Sequence, residues 1–465
     1  MKEDWSALRE LLLPPVSEGG QRGRRLERAL REAMRDGRLP AGTRLPGTRD
    51  LGAQLGLARG TVAAAYTQLR AEGYLTARPG SGTRVADSVA APVPAAEPDP
   101  SPPEWRFRLT PGLPSLAEFP RRAWLRAVAT AAERLPDAAL GYPDAAGLPQ
   151  LRAELAAYLG RVRALAAGAE DLVVTHGTFD ALGMVAGSLV AAGHRSIAIE
   201  DPSGTDQAEL LRDRGLETVP VPVDGHGLRV DDLARTGCRA VIVTPAHQYP
   251  TGVALSAERR RELIAWARER DGLIVEDDYD AEYRYDRPAA AALQNMDPGR
   301  VVYVGSVSKT LAPAVRLGWL AAPAALRPDL VRRKWLASRG CGVFEQAGFA
   351  ELLRGGGYDR HLRRTRLVYR RRRDALVEAV ARHLPEAALQ GLDAGLHLLL
   401  VLPEGGDDAA VARAAARSQI RVSPLSDYLH AREAPPALVL GFAGLTPARI
   451  DAAIASLAES VAQAA

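Results

Sequence analysis

Lysine is nearly absent from this 465-residue sequence: of its 60 basic residues only Lys2, Lys309 and Lys334 are lysines, leaving 57 arginines. Arginine pairs with carboxylates and phosphates but stays protonated, whereas a lysine amine can be made neutral and attack a carbonyl. A lysine kept inside an ordered segment therefore calls for a reason. Cysteine is scarce too. Cys238 and Cys341 cannot build a disulfide framework, and neither belongs to a close Cys/His cluster of metal-binding spacing. That predicts no metal and a reducing, cytoplasmic setting. No run approaches the roughly 20 apolar residues of a membrane span, and the start, Met1-Lys2-Glu3-Asp4-Trp5, has neither the basic nor the apolar region of a signal peptide. Membrane insertion is excluded on this reading. What is present, 47% apolar and 25% charged residues, is ordinary globular composition.

The clearest break in composition is residues 86–104, ADSVAAPVPAAEPDPSPPE, where prolines and small residues replace any hydrophobic period. It reads as a semi-extended linker between a front domain, 1–85, and a back domain, 105–465. The front piece holds 15 Lys/Arg and 9 Asp/Glu, a net of +6. Since the whole chain is +4, everything behind residue 85 sums to −2. The excess positive charge is confined to the small piece, as expected if that piece alone meets a polyanion.

In the front domain, Leu26, Ala29, Leu30, Ala33 and Met34 recur at helical spacing within 24–35, and Asp36-Gly37 follows as a stop. Thr48 is placed to cap a second short helix that Gly56 ends. A third helix follows, with Val62, Tyr66 and Leu69 on one face and Arg59 and Thr61 at its amino-terminal end. Two short helices joined by a tight turn predict a helix-turn-helix whose second member reads DNA. The run 74–85, YLTARPGSGTRV, predicts a β-hairpin with glycine at its turn, in other words a wing. A helical protein-interaction module with solvated arginines is the competing reading, and the hairpin and the positive charge both favour DNA.

The back domain alternates apolar strands and helical segments: DLVVT (171–175), a helix from Thr178, SIAIE, AVIVT (240–244), a helix from Ser256, LIVE and VVYVG. Alternation of this kind predicts an α/β domain with a largely parallel sheet and ligands at the carboxyl ends of the strands. Lys309 follows the strand Val301–Val304 in Gly305-Ser306-Val307-Ser308-Lys309-Thr310, with Arg316 beyond it. Asp277 ends another strand, and Gly177-Thr178 lies between a strand and a helix start, where free N–H groups favour a phosphate. A nucleophilic lysine, a strand-end carboxylate and a phosphate cradle are the parts pyridoxal phosphate requires. Nothing in the sequence separates Lys2 or Lys334 from a bias of composition.

These motifs carry two resemblances. GRLPAGTRLPGTRDLGAQLGLARGTVAAAYTQLRAEGYLTARPGSGTRVA resembles the winged helix-turn-helix of GntR-type bacterial regulators. The order GYPDAAGLPQLR, THGTFDAL, EDP, TPAHQYPTG, EDDYDAEYRY and SVSKTLAPAVRLG resembles fold-type-I aminotransferases over roughly 108–460. Joined, the two resemble the MocR/GabR class of transcriptional regulators, in which an aminotransferase-like domain senses rather than metabolises. The resemblance implies a pyridoxal 5'-phosphate cofactor, a double-stranded DNA operator, a small-molecule effector and a homodimer. It implies Lys309 as the Schiff-base lysine, Asp277 as partner of the pyridine nitrogen and Tyr279 as hydrogen-bond donor to the ring oxygen. Gly177, Thr178, Ser306, Ser308 and Arg316 would hold the phosphate, Tyr142 would reach the phosphate of the neighbouring subunit, and His247 and Gln248 would line the ring pocket. Arg49, Arg59, Thr61, Gly82 and Thr83 match DNA-contacting positions.

Four departures bear on what is sensed or read. The usual Ser-Arg-Asn-Thr of the recognition helix is Ala58-Arg59-Gly60-Thr61. Gly204 stands where the family commonly places an aromatic ring over the cofactor, and Asp206 where the GABA-responsive member has an arginine. Val439, in Val439-Leu440-Gly441-Phe442-Ala443, replaces the arginine that grips a substrate α-carboxylate. Losing that clamp costs a charged hydrogen-bond pair, of order 1.5 to 3 kcal/mol, or about ten- to a hundredfold in affinity. The departures imply that pyridoxal phosphate itself, or an amine without a conventionally held carboxylate, is the signal, as in the PdxR branch that controls vitamin B6 synthesis genes. A working aminotransferase with a DNA-binding appendage, and a DNA-binding protein with a cofactor-free domain, are the alternatives.

Overall fold

Helix α1 (Arg22–Arg35) begins the described part of the chain and turns Leu26, Leu30, Ala33 and Met34 into one buried face. The computed structural model describes residues 22–78, 82–87, 104–286, 290–431 and 433–464. They fall into two units, Met1–Pro103 and Glu104–Ala465. Most of the expected linker, 88–103, the tip of the expected wing, 79–81, and Lys2 lie outside the described residues.

In the first unit, strand β1 (Arg44–Leu45) precedes α2 (Thr48–Leu55), which Gly56 closes in the left-handed conformation at φ 64°. Thr48 does not cap α2. Gly47 occupies the cap position, no side chain bonds there, and Thr48 is the first helical residue. Helix α3 (Arg59–Ala71) buries Val62, Ala65, Tyr66 and Leu69, and the Tyr66 hydroxyl donates to the Pro46 carbonyl at 3.0 Å. That bond pins α3 to the turn entering α2. Arg31 reaches Glu72 through two hydrogen bonds of 2.9 and 2.8 Å, clamping α1 to the end of α3. Strands β2 (Leu75–Arg78) and β3 (Gly82–Val85) pair antiparallel, and β1 adds to β3, giving the order β1-β3-β2. A helix-turn-helix with a wing results.

The second unit opens with β4 (Phe107–Arg108), α4 (Arg121–Arg134), α5 (Pro149–Arg163), β5 (Leu172–Thr175) and α6 (Thr178–Ala191). It continues through β6 (Ser196–Asp201), α7 (Thr205–Asp213), β7 (Glu217–Asp224), β8 (Gly227–Leu228), α8 (Val230–Arg235), β9 (Ala240–Val243), α9 (Ala257–Glu269) and β10 (Leu273–Asp278). Then come β11 (Val301–Ser306), β12 (Gly318–Ala321), α10 (Arg327–Ser338), α11 (Val343–Arg354) and α12 (Gly357–His383). The last part holds β13 (Ala388–Gln390), β14 (His397–Val401), α13 (Asp408–Arg417), β15 (Ile420–Arg421), β16 (Ser423–Pro424), β17 (Ala437–Gly441) and α14 (Pro447–Ala464).

Eight of these strands form one sheet in the order β5-β12-β11-β10-β9-β6-β7-β8. Pairing is parallel from β11 through β10, β9 and β6 to β7, while β12 runs antiparallel between β11 and β5. Helices cover the sheet, so β9 and β11 are buried on both faces and read as unbroken apolar runs rather than alternating ones. A smaller antiparallel sheet, β13-β14-β17-β16, is built from the C-terminal part, and β4 returns to pair with β15. Ser256 accepts from the Arg259 N–H at 3.2 Å, so α9 starts where a serine cap predicts. The parallel strands all end on one side, and the polar turns following β5, β6, β9, β10 and β11 meet there.

Candidate functional site

At that edge lies a cavity of about 660 Å³. Thr178 enters from the turn after β5, Glu200 and Ser203–Gln207 from the end of β6 onward, and Thr244 and Tyr249 from behind β9. Asp277 and Tyr279 come from β10, and Ser306, Ser308, Lys309 and Arg316 from β11 and the loop beyond it. Pro111–Leu113 and Tyr428 close the far side. Seven of the eleven residues expected around the cofactor, Thr178, Asp277, Tyr279, Ser306, Ser308, Lys309 and Arg316, thus line one cavity, from three separate strand ends.

Burial pulls the Lys309 amine below its ordinary value, with Asp280 and Asp277 opposing, and its Nζ donates to the Gly112 carbonyl. An amine so placed is nearer the neutral, nucleophilic form than a surface lysine. Across from it, Asp277 Oδ1 is buried without a hydrogen-bond partner, and Oδ2 is 3.5 Å from Gln207 Nε2. Burial, reinforced by Asp278, pushes the Asp277 carboxyl up to about 7. An unpartnered buried carboxylate oxygen costs about 1–3 kcal/mol or more and suits a charged donor arriving from the cavity.

Tyr279 Oη lies 3.0 Å from His247 Nδ1, and His247 Nδ1 lies 3.1 Å from Asp280 Oδ2. A carboxylate oxygen accepts, so a proton on His247 Nδ1 would serve Asp280 and would leave the Tyr279 hydroxyl proton to be donated elsewhere. His247 therefore stands behind Tyr279 and does not line the cavity, contrary to expectation. Gln248 does not line it either: its Nε2 donates to the carbonyls of Pro202 and Tyr249, both at 2.8 Å, and braces the loop after β6. His397 joins His247 and Asp280 to place three buried, metal-capable side chains within 4.8 Å of one another, a grouping that linear spacing could not show. Tyr279 and Asp280 already engage the Nδ1 of His247, and the Pro250 carbonyl engages His397 Nε2 at 3.2 Å.

Gly177 holds φ at +105°, a conformation closed to ordinary side chains, and turns the chain from β5 into the 14-residue α6. A Cβ there would sit 3.6 Å from the Arg316 guanidinium. The free N–H groups of the helix start, the Thr178, Ser306 and Ser308 hydroxyls and Arg316 together make a concentration of anion-binding groups. Lys334 belongs to this neighbourhood and is no accident of composition. It is fully buried, with Nζ 2.8 Å from His176 Nδ1 and 2.6 Å from Asp180 Oδ2. Tyr142 is not in the cavity: it is 83% exposed, with its ring edge-on to Trp335 at 6.3 Å.

The departures noted in the sequence acquire positions. Val439 is buried in β17 against Leu399 and Leu425, in the core of the small sheet. Among the described residues, Lys309 and Arg316 are the cations that line the cavity. A Cβ on Gly204 would lie 3.9 Å from the Tyr249 ring, which bonds Tyr428 hydroxyl to hydroxyl at 3.2 Å. Tyr249 and Tyr428 thus supply aromatic walls that the sequence reading missed, because they are 179 residues apart.

On the first unit, Arg49 and Arg59 are exposed and make no ion pair among the described residues, unlike Arg31. Thr61 is half-buried, its methyl facing Gly23 of α1. Gly82 starts β3 at φ +80°, and a Cβ there would lie 3.2 Å from Arg44 Nε. The glycine thus gives the Arg44 side chain room to lie over the start of β3, a placement the sequence did not reveal.

Comparison with known proteins agrees with both halves. Residues 22–85 match the family of bacterial regulatory proteins, gntR family, and residues 117–457 match aminotransferase class I and II. The chain is 34% identical over 457 residues to the probable rhizopine catabolism regulatory protein MocR of Rhizobium meliloti, covering 93% of this chain and 92% of that protein. It is 33% identical over 421 residues to the HTH-type pyridoxine biosynthesis transcriptional regulator PdxR of Corynebacterium glutamicum, covering 90% and 91%. Among solved structures, an archaeal alanine:glyoxylate aminotransferase superposes with a TM-score of 0.72 at 27% identity, over 78% of this chain and 92% of that one.

Proposed function

Because this chain belongs to the MocR class of GntR-family regulators, with a DNA-binding winged helix-turn-helix joined to an aminotransferase-like domain, we propose that it is a pyridoxal-phosphate-dependent regulator whose effector is sensed in the back domain. The observation that carries the reading is that Asp277, whose buried Oδ1 has no hydrogen-bond partner, lines the same cavity as Lys309. Pyridoxal 5'-phosphate supplies an aldehyde for a lysine, a ring nitrogen that takes a proton and a phosphate dianion, and the residues present fit all three. Asp277 would hold the ring-nitrogen proton, Tyr279 would donate to the ring oxygen, and Gly177, Thr178, Ser306, Ser308 and Arg316 would take the phosphate. Lys309, made less basic by burial, would bind the carbonyl carbon.

The missing arginine at Val439, and the finding that Lys309 and Arg316 are the lining cations among the described residues, support an effector that is pyridoxal phosphate itself or an amine lacking a clamped carboxylate. The likeness to PdxR supports control of vitamin B6 synthesis genes. Arg49, Arg59, Thr61, Gly82 and Thr83 would meet a double-stranded operator, with domains 1–85 and 105–465 coupled through 86–104 in a homodimer that Tyr142 completes. Titrating cofactor-free protein with pyridoxal phosphate while following operator binding tests the effector. A shift in DNA affinity or footprint is expected, with a Lys309-dependent absorbance that Lys309→Ala abolishes. Unchanged operator binding across saturation rejects pyridoxal phosphate as the signal.

A further inference from the structure

A phosphate dianion placed at the start of α6 meets a difficulty. Asp180 occupies the first turn of that helix, and its carboxylate Oδ2 accepts the His176 N–H at 2.8 Å, directly before Gly177. Burial raises the Asp180 carboxyl, but hydrogen bonds from His176 and Lys334 outweigh it and leave the group well below its usual range, so it is ionised. A fixed negative charge there weakens the attraction of the helix terminus for an anion.

We propose that Lys334 is the positioning residue of the phosphate site: its fully buried ammonium neutralises Asp180 while holding Asp180 and His176 in the geometry that aims the helix start at the cavity. Lys334 is 0% exposed, sits on α10, and spans from that helix to Asp180 and His176 with bonds of 2.6 and 2.8 Å. The carboxylate fixes the turn through the His176 N–H, and the chain then passes Arg316 at Gly177, where a Cβ would lie 3.6 Å from the guanidinium. Asp180 is needed for the turn and harmful to the anion, and a buried cation resolves the conflict. An ammonium suits this role, being a compact charge that fits between the Asp180 carboxylate and the His176 ring where a planar guanidinium demands a wider slot. This explains a second of the three lysines in a chain that otherwise uses arginine.

The inference rests on the cofactor reading above, and pyridoxal, which has the aldehyde and ring but no phosphate, separates the two. Dissociation constants for pyridoxal phosphate and for pyridoxal are measured by the Lys309-dependent absorbance in the full chain. Lys334→Met is expected to weaken pyridoxal phosphate by about ten- to a hundredfold and pyridoxal by less than about threefold, a loss typical of one charged interaction. Equal losses for both compounds, or none, overturn the proposal. The double variant Lys334→Met/Asp180→Asn removes both charges and is expected to restore the phosphate preference to within about threefold of the native chain. Failure of that rescue overturns the electrostatic role. Should Lys334→Met not fold, Asp180→Asn alone, which leaves Lys334 uncompensated, is expected to raise the preference for the phosphorylated compound; an unmoved ratio overturns the proposal. If the native chain takes up neither compound, the cofactor reading falls as well, whereas uptake of both with ratios indifferent to these variants sinks this inference alone.

Discussion

Asp277 shows what a ligand site costs the protein that carries it. Its carboxyl is raised from 3.8 to about 7 by burial, so the folded chain holds a proton there that the unfolded chain releases at lower pH. The stability this contributes is fully present below about pH 4 and is lost as pH rises through about 7. Asp277→Asn should therefore make the cofactor-free protein more stable than the native chain at pH 8, on the order of 1–3 kcal/mol. The difference should shrink toward pH 4. The same substitution should weaken pyridoxal phosphate binding. Thermal unfolding at several pH values checks the first half and cofactor titration the second; a variant less stable than the native chain at pH 8 refutes the argument. Glu200, Glu276 and Glu282 are also raised to about 7 by burial, and being common to both chains they cancel in the comparison. Lys309 and Asp277 were legible in the sequence because each ends an apolar strand. Tyr249, Tyr428, Gln207 and the partners of Lys334 were not, since only folding brings them to the site.

At the scale of elements, the two halves were legible to different depths. Helical spacing located α1 and α3 because each buries a single stripe, and Gly56 marked the end of α2 through its left-handed conformation. The sheet was harder. Strands β5, β6, β9, β10 and β11 stand out as apolar runs, but β12 is equally apolar and runs the opposite way. An apolar run carries no direction, so strand polarity has to come from the path of the chain. The recognition helix yields the prediction that belongs here. Arg59 begins α3, is exposed and has no ion-pair partner among the described residues, so Arg59→Ala should leave the fold intact while weakening the operator complex and lowering its salt dependence. Affinity measured across a salt series decides it; native affinity and slope would show that α3 does not read DNA through this residue. Arg31→Ala, by contrast, breaks the clamp to Glu72 and should lower stability only slightly, because solvent screens this surface pair, while leaving operator affinity unchanged.

At the scale of the whole molecule, the proposed phosphate site would draw on a second copy of the chain. Tyr142 is 83% exposed and does not line the cavity, so the role proposed for it needs a second copy of the chain. Tyr142→Ala should therefore loosen pyridoxal phosphate in the dimer while leaving the stability of the chain nearly unchanged. Cofactor retention after gel filtration, with sedimentation to fix the oligomeric state, checks this; retention at the native level removes Tyr142 from the site. No helix among the described residues is long and apolar enough to cross a membrane. The sequence by itself determined the architecture at the level of charge and punctuation: a +6 front piece, a proline-rich break, a −2 remainder and a lysine at a strand end. Those are local properties, readable wherever composition and hydrophobic period decide the outcome. Only the tertiary structure decided that Lys334 is as buried as any core residue, that Val439 lies in a small-sheet core and that His247 backs Tyr279. Each depends on contacts between segments tens to hundreds of residues apart, set by the sheet order and by which strand ends converge, and no local pattern encodes that convergence.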